Sequence, residues 1–374
     1  MRIIVLSCHT PSLFWFRMDM MIDFIRSGYE VYALGNDNED VWKQQFTKHN
    51  IIYKQIKFHR NGLNPISDFI STIHLISLIK DIKPDKIFIY QAKTIIYGSI
   101  AAKVAGVYDV YSLVAGLGSI FRGNGFKNSV IRALLKVQYK IACCFNKAVF
   151  FQNDDDRREF VNNRIIAKNK TIIINGSGVN LEKFKPTALP DTPAFLFIGR
   201  LIKDKGIIEY LEACKRIKEE YPQTRCLLVG PFDSNPTSLK PADLDQYIAN
   251  HIVEYYGEQN DVRPFISQCS VFVLPSYYEG TPKTVLESMA MARAIITTDA
   301  PGCRETVING VNGFLVNIKN IEDLVDKMKF CIINRDITKK MGEESLRIAI
   351  EKYDVTKVNH QIQKTMNIKK ADGV

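Results

Sequence analysis

The chain has 374 residues, more than one hydrophobic core usually organises, and its 46% hydrophobic and 24% charged residues exclude a disordered chain or a small disulfide scaffold and point to two domains. The eight cysteines (Cys8, Cys143, Cys144, Cys214, Cys226, Cys269, Cys303 and Cys331) include no C-x-x-C pair and no Cys/His cluster at zinc spacing, so they read as reduced, mostly buried thiols of a cytoplasmic protein. The net charge of +10 falls in the first half, since residues 1–180 hold 24 Lys and Arg against 14 Asp and Glu while residues 181–374 hold 26 of each; this half calls for an anionic partner, a membrane surface or a diphosphate, whereas nucleic acid is disfavoured because no reader motif accompanies the charge.

Residues 1–9 form too short an apolar run for a signal peptide and lack a small-residue cleavage site, so they suit a first buried strand. Strands are expected at 2–7, 30–34, 51–56, 86–90, 110–114, 147–151 and 171–174, with helices between them. Lys93, Lys103 and Asp109 interrupt the most apolar stretch before it reaches the roughly 18 residues of a membrane span, so the chain is not expected to cross a membrane. From Arg122 to Lys147 there are six basic residues and no acid; Arg132, Lys136 and Lys140 recur every fourth position and stack on one helical face. This is either a packed helix with a solvated basic face or a helix lying on an anionic membrane, and the acid-free composition favours the second. Asp154, Asp155 and Asp156 follow a strand and open a helix ending near Asn163, where they cap the terminus and complement its dipole; no metal centre is expected.

After a loop holding Pro186, Pro190 and Pro193 the alternation restarts, with strands near 194–198, 225–229, 252–256, 271–274, 294–297 and 314–316. Two such series imply two Rossmann-like α/β domains, residues 1–180 and 181–354, with parallel sheets facing across a cleft.

Two segments of the second series carry chemistry. Residues 197–206 contain Gly199, Arg200, Lys205 and Gly206 directly after a strand: the glycines let backbone approach a ligand, and the cations can hold a diphosphate. Lys203 reads as a solvated neighbour. Residues 275–290 contain Glu279, Gly280, Thr281, Pro282, Lys283, Thr284 and Glu287. Pro282 suits a first helical turn, so the segment aims N–H groups and a helix dipole at its ligand. Glu287, about two turns in, can accept from ribose hydroxyls, and Glu279 can reach a transferred sugar; taken alone, either glutamate also fits a capping or surface role.

The pairing of Gly199, Arg200, Lys205 and Gly206 with Glu279 and Glu287, followed by Asp299, Pro301, Gly302 and Glu305, resembles the retaining glycosyltransferases of family 4, which have the GT-B fold. The resemblance covers nearly the whole chain; residues 175–184 look like that family's crossing between domains, and a final helix at 355–370 returns to the first. It implies that Arg200 and Lys205 hold the donor diphosphate, Glu287 the ribose and Glu279 the sugar, with the base near Val262, between Asp261 and Arg263. Residues 58–65, Gln91 to Lys93 with Tyr97 and Gly98, residues 114–118 and residues 151–154 resemble bacterial enzymes that extend undecaprenyl-diphosphate sugars for O-antigen, capsule or protein glycans, commonly with an N-acetylhexosamine. Two features depart from the family pattern: the loop from Ser7 to Arg17 lacks a double glycine, and Ala115, Gly116, Leu117 and Gly118 stand where a His-containing loop is common.

The resemblance therefore implies a hexosyltransferase acting with retention from a UDP-sugar, by front-face displacement and without a protein-bound cofactor or metal. His9, Arg17, Arg60, Lys93, Gly116 and Gly118 are the acceptor-side candidates, although His9 also fits a loop role and Arg17 and Arg60 a surface one. The expected setting is the cytoplasmic face of the inner membrane, with helix 122–147 on the lipid; the sequence leaves the oligomeric state open. A nucleotide-sugar epimerase of the same architecture and a non-catalytic assembly subunit are the competing readings. Epimerase chemistry asks for neither the basic helix nor the Glu279 and Glu287 spacing, and intact Arg200, Lys205, Glu279 and Glu287 argue against a non-catalytic subunit.

Overall fold

The computed structural model describes residues 1–58, 65–118, 121 and 125–369. Runs such as Ile3–Leu6 and Ala194–Ile198 are buried along their length, because a parallel sheet covered by helices on both faces has no wet side. Among the described residues thirteen strands form two such sheets, one in each of two units: residues 1–177 with 355–374, and residues 178–354.

The first unit runs β1 (Arg2–Leu6), α1 (Thr10–Arg26), β2 (Glu30–Gly35), α2 (Glu39–Thr47), β3 (Ile51–Gln55), α3 (Pro65–Ile82), β4 (Lys86–Tyr90), α4 (Ala92–Val104), β5 (Val110–Val114), α5 (Phe126–Cys144), β6 (Ala148–Phe151), α6 (Asp154–Asn162) and β7 (Thr171–Ile173). Its seven strands lie in the order β3-β2-β1-β4-β5-β6-β7, with every described pairing parallel. Residues of α3, α4 and α5, among them Leu75, Ile95 and Tyr139, share one core cluster with Ile4 and Leu6 of β1. On the other face Met20 and Phe24 of α1 pack with Val358 and Ile362. The latter two belong to α13 (Val355–Thr365), which is fastened by Asn359 donating to Asp23 at 2.7 Å and Gln361 donating to the Ile173 carbonyl at 2.8 Å.

The second unit runs β8 (Ala194–Ile198), α7 (Ile207–Glu220), β9 (Arg225–Val229), α8 (Pro241–Ala249), β10 (Glu254–Tyr255), α9 (Arg263–Ser267), β11 (Val271–Leu274), α10 (Lys283–Ala290), β12 (Ala294–Thr298), β13 (Gly313–Val316), α11 (Ile321–Ile333) and α12 (Arg335–Ile348), which passes into a π-helical turn, Ala349–Tyr353. Its order is β10-β9-β8-β11-β12-β13, again parallel. Arg293 is fully buried and donates to the carbonyls of Ile266, Thr187 and Ala188, tying the 187–188 stretch to this core.

Several details differ from the sequence expectation. The strand expected at 252–256 shrinks to two residues, Glu254–Tyr255. At α6 the cap is Asn153, whose side chain accepts from the Asp156 amide at 2.8 Å; the three aspartates fill the first turn, where Asp154 pairs with Arg157 and Arg158. The basic positions of the expected 122–147 helix are only partly solvated: Lys136 turns to Glu159 and Asn163, each at 2.8 Å, and Lys147 pairs with Asp109. Arg122 lies outside the described residues. Seven of the eight cysteines are buried and Cys144 is exposed.

Gly206 shows how tightly the second unit is drawn together. It has φ +73°, and a Cβ there would lie 2.1 Å from the Pro275 carbonyl oxygen. Gly257 has a similar φ of +67° with open space around it. Gly257→Ala is therefore expected to cost about 1 kcal/mol of strain alone, whereas Gly206→Ala adds overpacking of about 1–3 kcal/mol. Urea unfolding of the two variants should rank them in that order; equal losses would show that the contact relaxes.

Candidate donor site at the strand ends of the second unit

In an open parallel sheet, ligands bind beyond the carboxyl ends of the strands, where the strand order reverses. In the second unit β8 has β9 on one side and β11 on the other, so the reversal falls between β8 and β11. The two segments singled out by sequence leave from that point: residues 199–206 follow β8, and residues 275–282 follow β11.

Gly206 ends a short 3-10 turn, Lys203–Lys205, and begins α7 in a left-handed conformation. Its seat on Pro275 brings the two segments together. Asp204 then latches the second segment, its carbonyl accepting from the Ser276 hydroxyl at 3.0 Å and from the Tyr277 amide at 2.9 Å. Tyr277 donates to Glu209 of α7 at 2.6 Å, and its phenol is held well above its ordinary pKa by burial and by that carboxylate. Gly302 braces the segment from below: it has φ +81°, and a Cβ would meet the Glu279 carbonyl oxygen at 2.2 Å and that of Gly280 at 2.4 Å.

This packing places the expected donor-side residues around one strand edge. Lys205 forms an ion pair with Glu279, which also accepts from Ser276 at 2.9 Å. Arg200 is paired at 2.9 Å with Asp233, in the loop after β9. Asp233 also accepts from the Asn235 amide at 2.8 Å, so the loop fixes the carboxylate before it meets the arginine. Gly199 is half-buried and donates its amide to the Val229 carbonyl at 3.0 Å; the glycine whose missing side chain matters is Gly230, where a Cβ would lie 1.9 Å from the Gly199 oxygen.

The helix α10 starts at Lys283, with Pro282 as its N-cap rather than in its first turn. Proline fits there because the cap position has ψ 115°, extended backbone compatible with its fixed φ. Glu287 is consequently little more than one turn into the helix, not two. Gly280, Thr281 and Pro282 are buried, Lys283 is half-buried, and the Thr284 hydroxyl reaches the Ile198 carbonyl at 3.4 Å. Glu287 is itself buried, and burial lifts its carboxyl from the ordinary 4.5 to about 7, against the opposing pull of Lys283 and Lys183. Val262 is the N-cap of α9, between Asp261 and Arg263; these two pair at 2.7 Å, which holds the Asp261 carboxyl below its usual range.

The acceptor-side candidates lie in the first unit, whose strand order reverses between β1 and β4. His9 caps α1 there, its amide donating to Ser7 Oγ at 3.2 Å. Ser7 and Cys8 both donate to Gln91 Oε1, at 3.0 and 3.1 Å, and Gln91 holds a φ of +74°, rare for a side-chain-bearing residue. Arg17 is buried with its guanidinium carbon 5.3 Å from the centre of the Tyr90 ring; burial pulls its pKa down to about 10. Lys93 is committed to a buried pair with Asp68 at 2.8 Å, which ties α4 to α3. Gly116 and Gly118 both have positive φ in the loop after β5. Arg60 lies outside the described residues. Asp233, Gly230 and Gln91 were not selected as site residues from sequence; of the three, only Gln91 stood within a segment that drew attention.

No group of three or more His, Cys, Asp or Glu residues among those described is arranged to hold a metal ion. None of the described helices is long and apolar enough to cross a membrane.

Residues 179–347 match a family model described as glycosyl transferases group 1, and residues 3–153 one described as glycosyl transferase 4-like. A Campylobacter jejuni protein, N,N'-diacetylbacillosaminyl-diphospho-undecaprenol alpha-1,3-N-acetylgalactosaminyltransferase, is 29% identical over 368 residues, with 95% of each chain covered. The UDP-Gal:alpha-D-GlcNAc-diphosphoundecaprenol alpha-1,3-galactosyltransferase of Escherichia coli is 27% identical over 71% of each. Among solved structures, Anabaena Alr3699/HepE in complex with UDP-glucose superposes with a TM-score of 0.78 at 18% identity, covering 98% of this chain and 99% of that one.

Glu287 gives the site a pH signature. A carboxyl raised from 4.5 to about 7 in the folded state contributes stability that is complete below pH 4.5 and is lost as pH rises through 7, an effect of about 3 kcal/mol. Urea unfolding at pH 5 and pH 8 should show Glu287→Gln losing less stability with rising pH than the wild type, by roughly that amount. Parallel pH profiles would rule out a buried, proton-holding Glu287.

Proposed function

The chain belongs to the group 1 glycosyltransferases and has their GT-B fold, and from that premise we propose that it moves an N-acetylhexosamine, GalNAc or GlcNAc, from a UDP-sugar onto an undecaprenyl-diphosphate-linked sugar in surface-polysaccharide assembly, with retention at the anomeric carbon. The observation that carries the donor side is the gathering of Arg200, Lys205, Glu279 and Glu287 around the reversal point of one sheet. The lipid-linked acceptor is supported by the names of the Campylobacter and Escherichia relatives, both of which act on diphospho-undecaprenol substrates. The second of those names specifies a UDP-sugar donor.

In this reading the acceptor hydroxyl oxygen bonds to the anomeric carbon as the bond from that carbon to the diphosphate oxygen breaks. The proton of the hydroxyl passes to the departing phosphate. Negative charge grows on the diphosphate, so fixed cations and the positive end of α10 stabilise the transition state more than the ground state. Arg200 and Lys205 supply the cations. Their carboxylate partners hold the side chains in place before substrate arrives, which reduces the reorganisation needed during reaction. Glu279, anchored by Ser276 and Lys205, orients the sugar, and Glu287 accepts from the ribose hydroxyls in its ionised form.

No protein-bound cofactor or metal enters this scheme, since the positive charge comes from side chains and helix. The first unit holds the acceptor, with His9, Arg17 and Gly116 at or near its strand edge as the candidates the fold leaves available; Lys93 serves to brace α4. The transfer takes place at the cytoplasmic face of the inner membrane, where such acceptors are built.

The test is transfer from UDP-GalNAc and UDP-GlcNAc to a short-chain polyprenyl-diphosphate sugar, read by UDP release and by the anomeric configuration of the product. Glu279→Gln and Lys205→Ala should each lower kcat by at least a hundredfold, a loss of about 2.7 kcal/mol in transition-state stabilisation, with unchanged unfolding curves, and chelator should leave the wild-type rate intact. Full activity in either variant overturns the site. Epimerised UDP-sugar without transfer would favour an epimerase instead.

A further inference from the structure

We propose that α3 and α5 together form a membrane-insertion surface: two exposed apolar stripes that enter the acyl region of an anionic bilayer beside the acceptor-binding edge of the first unit. The proposal rests on the lipid-linked acceptor proposed above, and it changes how the chain reaches that lipid, from charge on a basic helix to apolar insertion by two helices.

On α3 the exposed residues are Ile66, Phe69, Ile70 and Ile73, between 53% and 74% accessible. On α5 they are Val130, Leu134, Val137 and Ile141, between 48% and 57% accessible. The spacings of three and four residues put each set on one side of its helix. Elsewhere among the described residues, exposed large apolar side chains are scattered singly or in small groups such as Trp15 and Phe16, as on ordinary soluble surfaces. Both helices pack against α4, and their inward residues join the core on the same face of the sheet, so both stripes face outward from that face.

Charge identifies the occupant. The carboxylates of α3, α4 and α5 are Asp68 and Asp81 alone, and Asp68 is buried against Lys93. Lys80, Lys103 and Lys140 are exposed on the same three helices. An apolar stripe bordered by lysines and almost free of carboxylates matches an anionic bilayer, whose headgroups take the ammonium groups while the chains take the isoleucines. Lys136 adds little, because it is turned toward Glu159 and Asn163.

Position supports the same occupant. The crossover helices α3 and α5 start at the carboxyl ends of the strands, and the stripes begin near those ends, at Ile66 in the first turn of α3 and at Val130 in the second turn of α5. A bilayer resting on them brings the ligand-binding edge of the sheet to headgroup height, where the diphosphate of a polyprenyl carrier sits.

The experiment is co-sedimentation of the full chain with vesicles of phosphatidylcholine alone or with phosphatidylglycerol, at low and high salt, alongside transfer to a short-chain acceptor that needs no vesicle. Wild type should bind the anionic vesicles and keep most of that binding at high salt. Ile70→Asp and Leu134→Asp, both at exposed positions, should together weaken vesicle binding at least tenfold while leaving the unfolding curve and transfer to the short acceptor unchanged. Lys140→Gln should weaken binding only at low salt. Vesicle binding by the double variant equal to wild type overturns the proposal, as does a wild type that transfers normally and ignores vesicles, or one that forms a dimer broken by the same substitutions. Vesicle binding without any transfer would leave this surface standing and overturn the catalytic reading.

Discussion

The contact between Gly206 and the Pro275 carbonyl fixes the second unit's chemistry. The loops that follow two neighbouring strands are held together at the reversal point by close backbone approach at Gly206 and by hydrogen bonds from Ser276 and Tyr277 to the Asp204 carbonyl. A side chain at 206 would separate them, and with them Lys205 and Glu279, which stand one residue before Gly206 and four after Pro275. Gly302 under the Glu279 carbonyl and Gly230 against the Gly199 carbonyl repeat the solution at the neighbouring strands. The charged groups are thus placed by close-packed backbone, which yields little.

On that frame the cations are each held by a carboxylate: Lys205 by Glu279 and Arg200 by Asp233. In such partly buried pairs desolvation offsets much of the Coulombic gain, so they are weak evidence for stability. In the proposed function their value lies in position, since a guanidinium already anchored would lose less freedom on meeting a phosphate. Glu287 is placed on the opposite principle. With burial its dominant influence, its carboxyl sits near neutrality, so the residue that would accept from ribose carries its charge at some cost in stability, as binding groups at functional sites commonly do.

Much of this was legible in the sequence, for a physical reason. Apolar runs at strand length alternate with helical periods, and that pattern alone specifies two parallel sheets. The glycine and cation spacings at 199–206 and 279–287 are short-range, so they survive without knowledge of the fold. Asp233 was hidden because it looks like an ordinary turn aspartate, and its partner Arg200 lies 33 residues away. Pro282 was placed one position too deep because proline suits both a helix cap and a first turn. The stripes on α3 and α5 were illegible for a different reason. For α5 the basic, acid-free composition of 122–147 pointed to a membrane, but only the sheet's position shows that Tyr139 and Cys143 point inward while Val130, Leu134 and Ile141 face out.

The proposed function requires the strand edge of the second unit to hold a nucleoside diphosphate through Arg200. Calorimetric titration of uridine diphosphate into the full chain tests it most directly. The account predicts saturable binding that Arg200→Ala weakens at least tenfold, about 1.4 kcal/mol, while Lys203→Ala, at an exposed neighbouring position, leaves it unchanged. Equal affinity in the wild type and Arg200→Ala would contradict it.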